Sequence, residues 1–75
     1  MFVKIIYSDN REILHQCDKV ERKPGSSQDV IVLELWNQGK LIENIEFQKR
    51  DMRAFFMNDN GQTVDSLHPV RMVRS

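Results

Sequence analysis

A single cysteine, Cys17, leaves the chain without any intrachain disulfide to supplement its core. Secreted domains of this size generally carry several bridges, so one thiol favours a reducing, cytoplasmic setting. An excess of one charge is missing as well: eleven Lys plus Arg stand against eleven Asp plus Glu, a formal net charge of zero. No overall pull on nucleic acid or acidic lipid follows from that balance, and any such binding needs a local patch. Long apolar runs are also lacking. Met1-Phe2-Val3-Lys4-Ile5-Ile6-Tyr7 gives way at once to Ser8-Asp9-Asn10, too short for a signal core or a membrane span, and no membrane partner is expected. Gly25, Gly39 and Gly61 are the only glycines, and single turn glycines cradle no phosphate. There is no Cys-x-x-Cys pair and no G-x-S-x-G serine. The acidic residues are scattered along solvated faces, so an enzyme, a metal and a cofactor are all unexpected.

What the chain does have is turn chemistry. Asn60-Gly61 lies between Phe55-Phe56-Met57 and Val64, and an Asn-Gly pair tolerates the positive φ angles of a two-residue type I′ hairpin turn. Asn37-Gln38-Gly39 reads as a three-residue loop with glycine at its left-handed position. In Ser8-Asp9-Asn10 the asparagine takes the glycine's role. Lys23-Pro24-Gly25-Ser26-Ser27-Gln28-Asp29 combines strand breakers with backbone-solvating residues and reads as a surface loop. Between these turns the apolar runs predict six strands, near 1–7, 11–21, 30–36, 40–47, 52–58 and 62–67. The segment 48–57 also fits a helix, with Met52, Phe55 and Phe56 on one face. The Asn60-Gly61 signal favours a strand there. Pro69 excludes a central strand beyond 67, so the expectation is one domain over 1–67 followed by a tail, 68–75.

The fold expected is all-β: an antiparallel meander of five or six strands, curled into a small SH3-like or OB-like barrel or an open roll. The 75 residues allow only one core, and a chain this short buries only about 60% of its unfolded surface. Strand alternation places Ile31, Leu33, Leu35, Leu41, Ile45 and Phe47 on one apolar face, interrupted by Glu43, with Trp36 opposite Lys40. In the first hairpin Ile5 pairs with Ile13, and Met1, Val3, Tyr7, His15 and Cys17 share the inner side. In the third, Phe55 and Phe56 fall on opposite faces. One sheet cannot bury both by itself, so the chain must curl up or pack a face on another molecule.

Three groups of residues are candidates for function. His15-Gln16-Cys17 puts an imidazole and a thiol on one strand face, with His68 as a conceivable third ligand. The set falls short of the four ligands zinc takes, and core packing explains it. Lys49, Arg50 and Arg53, with Arg71 and Arg74 in the tail, gather positive charge near Phe47, Phe55 and Phe56, the composition of a stacking surface for single-stranded nucleic acid. Trp36, with Val30, Val32 and Ile42, lies on the face away from Leu33, Leu35 and Leu41 and makes it more apolar than ordinary surface. Tryptophan is enriched in binding hot spots. The leading expectation is therefore a non-catalytic module that binds a protein partner or pairs as a homodimer. Nucleic-acid binding through the basic residues is the alternative.

Overall fold

Turns cut the chain at the expected places, each holding backbone at positive φ: Asn10 (70°), Gln38 and Gly39 (52° and 75°) and Gly61 (82°). In the computed structural model, which describes residues 1–69, the segments between them are strands. There are seven: β1 (Phe2–Ile6), β2 (Glu12–Gln16), β3 (Lys19–Pro24), β4 (Val30–Asn37), β5 (Lys40–Gln48), β6 (Arg53–Met57) and β7 (Thr63–Leu67). Every pairing is antiparallel. The count exceeds the expected five or six because the run 11–21 is divided. Cys17 donates its N–H to Met1 O and Asp18 donates to Trp36 O, so the chain leaves one sheet and enters the other between these two residues.

Two turn types are exchanged relative to expectation. Between β4 and β5, Asn37 pairs directly with Lys40, which makes Gln38-Gly39 a two-residue turn with both φ values positive. The Asp18 carboxylate accepts the Gln38 N–H at 2.8 Å and holds that unfavoured residue in place. Between β6 and β7, Asn58 donates to Gln62 O and Gly61 to Asn58 O, closing a three-residue loop over 59–61. Asn58 Oδ1 caps that loop by accepting the N–H groups of Asn60 and Gln62, both at 3.0 Å. Each hairpin then carries one bulge, at Leu35/Trp36 and at Phe56/Met57. The bulge in the third hairpin restores the expected pairs Phe56 with Asp65, Phe55 with Ser66 and Ala54 with Leu67.

The helical reading of 48–57 survives only as a turn. Met52 N–H reaches Gln48 O at 3.0 Å, and from Arg53 the chain is extended because β6 pairs with β1 on one side and β7 on the other. The β1–β6 ladder also breaks the simple meander. The strands form one four-stranded sheet in the order β2-β1-β6-β7 and one three-stranded sheet in the order β3-β4-β5.

Their inner faces share one core: Val3, Ile5, Ala54 and Phe56 from the larger sheet, Leu33, Leu35, Ile45 and Phe47 from the smaller, with Cys17 and Met52 from the connections. Phe47, Ile5, Leu33, Leu35 and Val3 are the largest side chains fully removed from solvent. Burying each contributes about 1.5–3 kcal/mol, and with so few such residues every core position matters.

Candidate interaction site

Trp36 and Val32 share the outer face of the three-stranded sheet, as expected, but that face is not bare. Trp36 is half-buried and paired between Lys19 on β3 and Leu41 on β5, not Lys40 as expected, because the two-residue turn and the bulge shift the register and turn Leu41 out of the core. The Lys19 ammonium stands 5.5 Å from its ring centroid. Val32 lies between Lys23 and Glu46. Lys19 and Lys23 also grip Glu21, at 2.8 and 3.2 Å, and hold its carboxyl below the usual range. The Lys19 side chain thus covers part of the tryptophan, while Lys23 is the strand neighbour of Val32. Val30 is buried beneath the 25–29 loop. Ile42, the residue skipped at the β4–β5 bulge, is 49% exposed beside Leu41 on an edge strand.

The basic cluster is divided. Arg50 Nε lies 3.3 Å from the Asp29 carboxylate, and the Lys49 N–H donates to Asp29 O at 2.7 Å, so both belong to the contact between the 48–51 turn and the 25–29 loop. Arg53 starts β6 opposite Ile6 and lines a shallow cleft with Asp51, His68 and Pro69. Arg71 and Arg74 lie outside the described residues. Of the aromatics expected beside these charges, Phe47 and Phe56 are core. Phe55 alone faces outward.

Phe55 marks the surface that the sequence does not single out. Because Val3, Ile5, Ala54 and Phe56 point inward, alternation turns Phe2, Lys4 and Ile6 on β1, and Arg53, Phe55 and Met57 on β6, to the opposite side. These are the two central strands of the four-stranded sheet. Phe2, Ile6, Phe55 and Met57 are half-buried only, and Leu14 on β2, opposite Lys4, is 58% exposed. The Lys4 ammonium lies 5.9 Å from the Phe55 centroid, and the His68 ring meets Phe55 edge-on at 5.7 Å. No other element of the described residues covers this face. Its one sequence signal is the Phe55-Phe56 pair, which in a strand must show one ring to each side.

The remaining polar groups offer little chemistry. His15 lies opposite Val3, half-buried, with Nε2 shielded and unpartnered in the structure described. Cys17 is buried and burial pushes its thiol up, away from the reactive thiolate. It is expected to resist a thiol reagent in the native protein and to react at the rate of unfolding, which timed labelling with and without denaturant checks. No group of three His, Cys, Asp or Glu side chains among the described residues could hold a metal ion. Ser66 Oγ and His68 Nε2 are 3.0 Å apart. They sit two residues apart at the end of an edge strand, with no carboxylate of the described residues bonded to the ring.

No helix of the described residues is long and apolar enough to cross a membrane. Comparison with protein-family models, with curated proteins and with solved structures finds no match.

Proposed function

We propose that this chain is a non-catalytic protein-interaction module whose binding surface is the outer face of the four-stranded sheet. The observation that carries the reading is the row of half-buried apolar side chains on its two central strands, Phe2, Ile6, Phe55 and Met57, on the side away from the core and with no other element of the described residues over it. A contiguous row of part-exposed apolar side chains, continued by the exposed Leu14, is the kind of surface that marks an interaction site. The curled, barrel-like form belongs with this reading. Two features support it: β2 runs on into β3, and the Arg22–Asp65 ion pair spans from β3 to β7. Curling closes the inner faces around one core and leaves the outer face of the larger sheet to a partner.

Photo-crosslinking in the cells that natively make the protein tests the proposal. A benzophenone side chain in place of Leu14 is expected to give discrete protein adducts, and the same group in place of Ser26, on the exposed 25–29 loop, none. Equal or absent adducts at the two positions would overturn it.

Lys4 and Arg53 beside Phe55 favour single-stranded nucleic acid as a second reading. With Arg50 held by Asp29, only a few phosphates can be neutralised, so a log–log salt slope no steeper than about −3 is expected. Anisotropy with labelled oligonucleotides measures it. Submicromolar affinity at physiological salt, lost when Lys4 and Arg53 are changed together, would make nucleic acid the leading function.

A further inference from the structure

We infer that the outer face of the four-stranded sheet takes one amphipathic α-helix of a partner protein, about three turns long, whose apolar stripe ends on an aspartate or glutamate seated at Arg53. The inference rests on the binding-module reading above and names the kind of partner.

The width of the apolar strip sets the shape of its occupant. Strand register lays Phe2 beside Met57, Lys4 beside Phe55 and Ile6 beside Arg53 on the two central strands. To either side the face turns polar, at Glu12 and Gln16 on β2 and at Ser66 on β7, with Leu14 the exception. Two strands about 4.8 Å apart present a strip about 10 Å wide, the diameter of one helix with its side chains. Five residues of strand run about 17 Å, a length that about eleven helical residues span. A helix lying on a sheet is also one of the stable ways to layer the two. An added strand is the wrong shape, because strands join a sheet at its edge and neither β1 nor β6 is an edge.

Area argues for a short segment over a folded domain. The four strands together give a patch of roughly 19 by 17 Å, about 320 Å². Stable complexes of folded domains bury about 800 Å² per partner, so a second copy laid face to face lacks the surface it needs. Three turns of helix fit the patch as it stands.

Charge supplies the polar contact. Lys4 is taken up by Glu12, 3.6 Å away, and the His68 ring by Ser66, whose Oγ is 3.0 Å from Nε2. Arg53, at the Ile6 end of the strip, makes no ion pair among the described residues, although Asp51 lines the same shallow cleft. It is the cation on this face left for an incoming carboxylate. A helix whose acidic residue lies one turn beyond its last apolar position then points its negative C-terminal end at Arg53, which favours the same orientation.

Stapled synthetic helices about three turns long, with leucine at i, i+4 and i+7 and glutamate at i+11, test the inference in magnetic resonance titrations of the isotope-labelled chain. Amide shifts are expected on β1 and β6. Lysine in place of the glutamate is expected to weaken binding at least about fivefold, and Arg53→Glu to reverse that preference. Equal binding of the two helices would overturn the seat at Arg53, and equal shifts from a scrambled sequence would overturn the stripe. No shift at about 1 mM peptide, with Leu14 crosslinks to another polypeptide, would overturn the helix and leave the binding module standing. No shift and no crosslink would overturn both. A dimer mass in light scattering, with Leu14 crosslinks joining two copies of this chain, would put a second copy on the face and overturn the helical partner.

Discussion

Gly25→Ala is expected to lower the stability of this domain by about 2–4 kcal/mol, a large part of the whole for a chain of this size. A β-carbon at Gly25 would stand 2.4 Å from the Val30 carbonyl oxygen and 2.7 Å from its carbonyl carbon and Cγ1. Two of those atoms are backbone and cannot swing aside. The same carbonyl accepts the Gly25 N–H, and the Val30 N–H donates to Ser27 O, so relieving the clash opens the loop that covers Val30. Overpacking contributes about 1–3 kcal/mol and the lost hydrogen bond about 1. The melting temperature should fall by about 10–25 °C. Gly61→Ala is the control, since its β-carbon meets nothing within 4 Å and only the positive φ of 82° opposes it, for about 1–2 kcal/mol. A Gly25→Ala protein that melts with the wild type would show that the loop does not pack as described.

Two neighbouring phenylalanines should respond very differently to truncation. Phe56 is 3% exposed among core residues of both sheets, and Phe56→Ala is expected to cost about 3–5 kcal/mol. Phe55 lies on the other side of the same strand, and Phe55→Ala should cost under about 1 kcal/mol in dilute solution, where association does not contribute. Urea denaturation of the two variants measures both. Comparable losses would contradict the alternation and fit the helical pattern instead, in which Met52, Phe55 and Phe56 share one face.

Much of this fold is legible in the sequence because its punctuation is local. Asn10, Gly39 and Gly61 stand where the backbone turns left-handed, and the strands between them follow. Turn type was less accessible, since Asn60-Gly61 fits either loop length. What decides it is the Asn58 side chain bonding across the loop, and for Gln38 the carboxylate of Asp18, twenty residues away. The pairing of β1 with β6 leaves no local trace at all. Without it the outer faces cannot be assembled, and the row of Phe2, Ile6, Phe55 and Met57 is invisible as a surface. The Trp36 face looked barer in the sequence than it is for the same reason: the lysines on it come from β3, and only the β3–β4 register brings them there.

On the proposed function, the outer face of the four-stranded sheet serves binding and not folding. Circular dichroism of the triple variant Ile6→Thr, Phe55→Thr, Met57→Thr, followed through thermal unfolding, separates the two roles, because threonine suits strands while removing the apolar face. The variant is expected to keep the β-sheet spectrum and to unfold cooperatively. Loss of the sheet signal in that variant would place these side chains among those that hold the fold together and contradict a binding role for the face.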